Sequence, residues 1–371
     1  MSHIVLITGG AGFIGSHLAD ELIAHGYRVR VLDALLDQVH GANRRPDYLH
    51  PDVELIRGDI CDAKAVRYAC QGVDTVFHLA ARVGVGQSMY DIVKYTETNN
   101  LGTAVLLEEL VRRPVGRLIV ASSMSIYGEG MYRRADGALV AGRERPLEQL
   151  KRGDWEVRDE DGLALAPAPT PESKPPALAS VYALSKHDQE RLCLVVGRAY
   201  GIPTVALRFF NVYGSRQALS NPYTGVLAIF ASRLLNDNPP LIYEDGRQQR
   251  DFVHVADLVQ ACRLAMETPG AANRVFNVGS GQAHTVLEIA ERMAEVLGKS
   301  HIRPQIAGKY RVGDIRHCFA DISLAQRVLG YQPRITLQAG MMELARWLEG
   351  QVAVDQVARA NTELEQRGLT V

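Results

Sequence analysis

Short apolar runs alternate with longer stretches of mixed polarity from the start of the chain. Ile4–Thr8, Arg28–Asp33, Val53–Arg57, Thr75–Ala80, Arg117–Ser122 and Thr204–Phe209 are rich in Val, Ile and Leu and mostly lack a two-residue alternation. That pattern predicts strands buried on both faces. Between them, helical patterns lie near 13–25, 62–71, 90–113 and 182–200. A β-α-β-α order implies an α/β fold with a doubly wound parallel sheet covered on both faces. Right-handed crossovers then leave few topologies. After about residue 210, turns and short strands mix with helices near 224–236, 255–267, 285–297, 321–329 and 337–350. We therefore expect a first domain over 1–210, with a segment near 251–275 as a candidate to rejoin it. A smaller mixed α/β lobe spans 211–371 and ends in a polar surface helix over Val352–Gly368.

One stretch breaks the pattern. The 54 residues between Tyr127 and Tyr182 show no clear period. They hold Arg133, Arg134, Arg143, Arg145, Lys151 and Arg152 among many acids, then Pro167, Pro169, Pro171, Pro175 and Pro176. A loop this long inside a compact domain is usually functional or mobile. An insertion at 129–176 fits two readings, a solvated surface excursion or a lid or assembly element over a cleft.

Composition narrows the classes. A chain of 371 residues suits about two domains and buries a sizeable core without staples. Lys plus Arg is 41 and Asp plus Glu is 42, a net charge of −1, which argues against a general nucleic-acid binder. No run of about 18 apolar residues predicts a membrane span. The strand-like His3–Thr8 run follows the start with no basic leader or cleavage site, so we expect no secretory signal and a cytoplasmic location. Cys61, Cys70, Cys193, Cys262 and Cys318 are odd in number and scattered, with no CxxC pair, so neither a disulfide framework nor a metal site is expected.

The segment Thr8-Gly9-Gly10-Ala11-Gly12-Phe13-Ile14-Gly15 follows the first strand and opens the first helix. Its glycines match both GxGxxG and GxxGxxG, the spacing that permits a tight turn, close approach of a pyrophosphate and helix–strand packing. The helix amino end favours the anion. Asp33 ends the second strand, where a carboxylate accepts from ribose hydroxyls and repels a 2′-phosphate, favouring NAD over NADP. A helix-cap or turn role is its alternative. Asp59, in Arg57-Gly58-Asp59-Ile60, is placed to reach the adenine or to serve as a turn aspartate.

Tyr182-Ala183-Leu184-Ser185-Lys186 puts Tyr and Lys on one helical face. An ammonium there stabilises a phenolate and draws its pKa from about 10 toward neutrality, giving a general base for a hydroxyl. Ser122-Ser123, at the end of the fifth strand, lies where open α/β sheets bind ligands.

With these pieces the chain resembles the extended short-chain dehydrogenase/reductase family, in its NAD-dependent nucleotide-sugar epimerase/dehydratase branch. The resemblance runs from about residue 3 to 350 outside the insertion. It is carried further by His78-Leu79-Ala80-Ala81, Asn99-Asn100-Leu101-Gly102-Thr103, Ser122 to Gly128, Arg208 to Gly214, Arg250 to Val255, Phe276-Asn277-Val278-Gly279 and Arg311-Val312-Gly313-Asp314. It implies a Rossmann-type domain that binds NAD through Gly9, Gly12, Phe13, Ile14, Gly15, Asp33, Asp59, Ile60, Leu79, Ala80, Ala81, Asn99, Tyr182 and Lys186. Tyr182 would be the base, Lys186 its modulator and Ser123 the partner of the sugar O4. Asn211, Arg250 and Arg311 would hold a nucleotide diphosphate, two guanidiniums being able to fork onto it; the alternative for the arginines is a structural salt bridge. Asp314 would sit near the nucleoside ribose, with Val83, Ser125 and Cys318 in the sugar pocket. Family members pair as homodimers through the Tyr-Lys helix, here with Leu192, Leu194 and Val195, which equally suit a core.

The resemblance also separates reactions. Dehydratases of the branch carry an Asp-Glu pair where this chain has Met124 and Ser125, and decarboxylases carry a glutamate at the Ser125 position. What remains is oxidation at C4, a 4-keto sugar and hydride return to the opposite face, a 4-epimerase cycle on a UDP- or dTDP-hexose. Cys318 is small where residue size gates the C2 substituent, and Val83 offers an apolar wall suited to a 6-deoxy sugar. The pair dTDP-L-rhamnose and dTDP-6-deoxy-L-talose is one concrete candidate, although the insertion lacks the paired cysteines of 4-epimerases acting on it. The alternatives are a UDP-Glc/UDP-GlcNAc type 4-epimerase, a 4-keto nucleotide-sugar reductase, which Asp33 argues against, and a non-catalytic NAD-binding sensor, which the Ser-Tyr-Lys set argues against.

Overall fold

The computed structural model describes residues 3–41, 44–219, 225–311, 313–349, 351, 355 and 357–370. Seven parallel strands form the central sheet: β1 (Ile4–Thr8), β2 (Arg28–Asp33), β3 (Glu54–Arg57), β4 (Thr75–His78), β5 (Arg117–Ser123), β6 (Thr204–Phe209) and β7 (Arg274–Val278). Their spatial order is β7-β6-β5-β4-β1-β2-β3. The order reverses direction between β1 and β4, and it is outside the carboxyl ends at such a switch point that ligands bind.

The non-alternating strand pattern has a direct cause. Val5 and Ile7 of β1, Ile119 of β5 and Val205 and Leu207 of β6 enter one buried cluster with α1 (Phe13–Ala24) and α5 (Val255–Glu267). Leu6, Val76, Leu118, Val120 and Ala206 enter a second cluster on the other face, with α2 (Ala63–Ala69), α3 (Gly102–Arg112) and α4 (Val181–Tyr200). Both faces are covered, so neither tolerates a polar residue. Burial of each such side chain contributes about 1.5–3 kcal/mol.

Two of the expected elements differ in ways that shape the site. The fourth strand stops at His78 rather than Ala80, because Leu79 and Ala80 turn to meet the glycine loop. There the Ala80 N–H donates to Thr8 Oγ1 at 3.2 Å. The single helix expected over 90–113 is three pieces: Ile92–Tyr95, a π-helical stretch Thr96–Leu101, and α3. The wide turn places Asn99 inward, where its side chain grips the Arg82 backbone. Such local widening is common at functional sites.

A third apolar cluster gathers the helices Val226–Leu235, Val286–Val296 and Leu337–Leu348 around Phe230, Ile289, Met293 and Leu344. The insertion is structured. Leu139–Ala141, Met131–Arg133 and Ala166–Ala168 form an antiparallel sheet with Tyr132, Val157 and Leu165 buried beneath. Its far end is sewn to the core. Thr170 N–H donates to Phe319 O at 2.8 Å, Asn277 Nδ2 donates to Thr170 O at 2.8 Å, and Lys174 Nζ donates to Tyr127 O at 2.6 Å. Among the described residues no helix is long and apolar enough to cross a membrane.

Candidate active site

A cleft of about 360 Å³ opens at the switch point. Gly9, Gly12, Phe13, Ile14 and Gly15 line it from the first turn, Asp33, Asp59 and Ile60 from the next two strand ends, and Leu79, Ala80 and Ala81 from β4 onward. Gly9 has φ +70°, and a Cβ there would stand 2.9 Å from Ala80 backbone atoms. At Gly15 a Cβ would meet Gly10 Cα at 2.5 Å. Glycine at both positions lets the loop hug the strand ends. Gly12 caps α1 with no side-chain bond, which leaves first-turn N–H groups for an anion. The Asp33 carboxylate is fixed by the N–H groups of Ala11, at 3.0 Å, and Leu35, at 2.8 Å. Asp59 accepts from Cys61 N–H at 2.8 Å, a turn geometry that still leaves it on the cleft wall. Ser122 Oγ is buried on this wall with no hydrogen-bond partner among the described residues. Backbone donors for a pyrophosphate, a fixed carboxylate for a ribose and an orphaned hydroxyl together fit a dinucleotide.

Ser123, Tyr182 and Lys186 come together at the other end of the same cleft. Ser180 caps α4 by accepting from Ala183 N–H at 3.1 Å, so Tyr182 sits in its first turn. Ser88 Oγ accepts from Tyr182 N–H at 3.0 Å, and the Tyr95 ring packs edge-on at 6.5 Å. Ser123 Oγ accepts from Ser125 N–H at 3.1 Å and lies against the Tyr182 phenol. Burial pushes that phenol above its ordinary value, and the Ser123 hydrogen bond pulls it back. Lys186 is buried, and burial lowers its ammonium to about 8. In this arrangement Lys186 Nζ donates to Gln189 Oε1 at 2.6 Å.

Asn99 does not line the cleft. Its Oδ1 accepts from Arg82 N–H at 2.7 Å, and its Nδ2 donates to Arg82 O at 3.1 Å and Ser185 Oγ at 2.9 Å. It thus ties the floor of the cleft to the Tyr-Lys helix. Val83 is on the wall and half exposed.

The other expected sugar-nucleotide residues lie outside this lining. Asn211 Nδ2 donates to Asp251 O at 3.0 Å. Arg250 donates through Nη1 to Arg316 O at 3.0 Å and through Nη2 to Ile315 O. Arg311 Nε donates to Asp314 Oδ2 at 3.0 Å, with its guanidinium 4.8 Å from the Tyr243 ring centroid. Arg250 and Arg311 therefore both bond to residues within 314–316. Cys318 pairs in register with Arg250 but is 1 % exposed, its Sγ 3.8 Å from Thr170 Oγ1.

The insertion meets that segment through buried charge. Glu129 accepts from Arg316 N–H at 2.7 Å and His317 N–H at 3.2 Å. Arg145 pairs with Glu244 at 2.8 Å and donates to Asp314 O at 3.2 Å. Arg316, with no exposed surface, reaches Glu156 at 2.6 Å, Glu244 at 2.9 Å and Asp245 at 2.6 Å. Sequence reasoning missed this cluster, and it missed Arg82, Phe209, Phe210, Arg216 and Gln217 on the cleft wall. Phe209 and Phe210 stood inside a motif already singled out; Arg82 follows another directly. Among the described residues no three His, Cys, Asp or Glu side chains form a metal-holding group.

Comparison with known proteins gives the family. The model of the NAD dependent epimerase/dehydratase family matches residues 5–148 and 163–279, the gap falling within the insertion. A dTDP-L-rhamnose 4-epimerase of Burkholderia thailandensis is 35 % identical over 93 % of this chain and 94 % of its own length. A UDP-glucose 4-epimerase from Thermus thermophilus, solved with NAD, is 31 % identical with a TM-score of 0.73, covering 94 % of this chain and all of that one. A UDP-N-acetylglucosamine 4-epimerase from Methanobrevibacter ruminantium, solved with UDP-N-acetylmuramic acid, is 29 % identical with a TM-score of 0.77, over 95 % of this chain and all of its own. This chain belongs to the NAD-dependent epimerase/dehydratase family. It is an enzyme, and its cofactor is NAD.

Proposed function

We propose that the chain is a nucleotide-diphosphate-sugar 4-epimerase, and that the cofactor half ending near residue 210, with β7 returned to its sheet, faces a substrate lobe built from the remainder. One observation carries the reading. At the turn after β5, Ser123 keeps its hydroxyl beside Tyr182, whereas Met124 is buried in the core and Ser125 Oγ lies 3.1 Å from Ser123 Oγ. A thioether and a hydroxyl shuttle no proton at neutral pH. Elimination or decarboxylation is left without its acid–base group, and the C4 ketone has only reduction open to it.

Bound NAD supplies reversible hydride chemistry at C4. The chain's residues do the rest. Tyr182 takes the O4 proton, Ser123 holds O4, and the Lys186 ammonium stabilises the phenolate by charge. Inversion requires the 4-keto sugar to present its other face before Tyr182 returns the proton. Arg250 and Arg311 supply positive charge for the diphosphate, Asn211 a hydrogen bond, and Asp314 an acceptor for the nucleoside ribose. A 6-deoxyhexose such as dTDP-L-rhamnose suits the apolar Val83 wall, and the Burkholderia relative's activity supports it; UDP-hexoses are the competing substrates.

The test is incubation of the pure protein, without added cofactor, with a panel of dTDP- and UDP-sugars, followed by NMR at C4. Inversion with no net NADH absorbance change is expected. No inversion there, together with stoichiometric consumption of NAD(P)H when a 4-keto nucleotide sugar and NAD(P)H are supplied in a parallel assay, would instead leave a reductase.

Two further expectations arise at this site. Asp33→Ala removes the acceptor for ribose hydroxyls, so NAD retention should weaken by about tenfold, the scale of one charge-assisted hydrogen bond. NADP binding should improve relative to NAD. Unchanged cofactor preference in equilibrium titrations would show that Asp33 is only a turn residue. We also propose a homodimer through α4. Leu184, Leu192 and Val195 are exposed along it, Leu194 being core instead, and Val93 and Leu101 are exposed on the neighbouring helical segment. Light scattering should give twice the chain mass, and Val195→Asp should shift it toward monomer.

A further inference from the structure

The active-site lysine has a partner outside the Ser-Tyr-Lys set. Lys186 Nζ donates to Gln189 Oε1 at 2.6 Å, and Gln189 is fully buried. Its amide cannot turn over. Nε2 lies 3.0 Å from Thr103 Oγ1 and 3.3 Å from Ala80 O. The Thr103 hydroxyl gives its own hydrogen to Asn99 O, so its oxygen accepts. His78 completes the frame, with Nε2 2.8 Å from Thr103 Oγ1 and Nδ1 2.8 Å from Thr8 Oγ1. Burial, with Lys186 nearby, drives His78 down to about 3, so the ring is neutral. Gln189 Nε2 also lies 3.2 Å from His78 Nε2, so the nitrogen end of the amide faces Thr103, Ala80 O and the neutral His78 ring together. The Gln189 carbonyl end is thus the one turned to the ammonium. A flipped amide would set NH₂ against NH₃⁺ and a carbonyl against Ala80 O.

We infer that Gln189 is a positioning residue for catalysis: its carbonyl occupies one of the three Lys186 N–H donors and aims the ammonium without neutralising it. This rests on the assignment of Tyr182 as base and Lys186 as its modulator. A neutral acceptor matters in a site this dry. A carboxylate there would pair with the ammonium and cancel the field that stabilises the Tyr182 phenolate. An apolar residue would leave the ammonium short of a partner and favour its loss of a proton. The other titratable or charged groups around Lys186 are Tyr182, Glu190 and Cys193 on its own helix and His78 on β4. Glu190 is already engaged by Arg208 of β6 at 2.7 Å, so Gln189 is the side chain that directly holds the ammonium.

The test is the kcat–pH profile for C4 inversion in Gln189→Glu, Gln189→Met and Gln189→Asn, with NAD content, KM and thermal midpoint measured alongside. Gln189→Glu should raise the acidic limb by about one pH unit and cut kcat at pH 7 roughly tenfold, the scale expected when a phenol loses one charge interaction. Its KM for the sugar nucleotide should change less than about threefold, since the residue touches no substrate. Gln189→Met should move the alkaline limb the opposite way, to lower pH. Gln189→Asn, which withdraws the carbonyl but keeps the amide, should follow Met and serves if either other variant fails to fold. Folded variants that keep both wild-type limbs, or lose rate only in step with thermal stability, overturn the inference. Tyr182→Phe separates the two levels. If that variant turns over normally, the site assignment itself fails; if it is dead while the Gln189 profiles stay unmoved, only the role of Gln189 fails.

Discussion

Tyr182→Phe is expected to lower kcat by roughly a thousandfold, within the range that one positioned general base contributes. The change deletes a single oxygen. The ring keeps its place against Tyr95 and in the first turn of α4, where Ser88 and Ser180 hold backbone rather than phenol. NAD content and thermal midpoint should therefore stay near wild type. KM should move little, because the lost interaction acts mainly as O4 gives up its proton. NMR-monitored inversion beside the absorbance of bound cofactor is the check. Activity within tenfold of wild type would remove Tyr182 as the base and with it the assigned mechanism.

The second large effect concerns stability. Arg316→Met should destabilise the fold by about 3–5 kcal/mol at neutral pH, the usual cost of stripping one partner from a buried ion cluster. Arg316 stands between Glu156, Glu244 and Asp245; without it Glu244 keeps Arg145 and Glu156 keeps only the His317 ring. The pH dependence has a definite sign. The His317 hydrogen bond, opposed by burial and joined by Arg316, holds the Glu156 carboxyl down to about 2, and Asp245 is lowered as well. A carboxyl depressed in the folded state adds stability above its unfolded value, and that stability is lost as pH falls through the folded value. The wild-type advantage should be full near pH 6 and shrink from about pH 4 toward 2. Chemical denaturation of both proteins at pH 7 and pH 3 measures this. An equal gap at both values would mean that the cluster's charge is not what Arg316 serves. Because Arg250 donates to the carbonyls of residues 315 and 316, KM for the sugar nucleotide should also rise in the variant while NAD content holds.

Much of the cofactor side was legible because its signals are local. The Gly9-to-Gly15 loop, the strand before it, Asp33 and the Tyr182–Lys186 spacing each lie within one turn or one strand, and the cleft wall includes Gly9, Gly12, Gly15, Asp33, Tyr182 and Lys186. Strands β1, β2 and β6 appear with the bounds that their apolar runs suggest. β7 was not identified, since Arg274-Val275-Phe276-Asn277-Val278 is a short run whose partner β6 lies some seventy residues earlier. Asn99 was recognised by its motif, but its grip on Arg82 depends on a π-helical turn that no periodicity announces. The insertion was opaque for the same reason at larger scale. Beside its small apolar cluster it buries charged residues, Glu129 and Arg145, whose partners include residues 244 and 314–317. In isolation such side chains read as solvated surface.

That separation bears on how the molecule is made. Thr170 waits for Asn277, 107 residues later, and Glu129 waits for Arg316, 187 residues later. At a synthesis rate of roughly 5–20 residues per second, the second interval is on the order of 10–40 s. Through that time Glu129 and Arg145 have each other, at 3.5 Å in the finished fold, but not the Arg316 and His317 N–H groups or Glu244 that complete the cluster. The glycine loop and β1 to β5 have their partners at hand far sooner. On the ribosome, the segment next to the proposed substrate site is the last of the amino-terminal half to settle, and the one most open to proteases and chaperones while it waits.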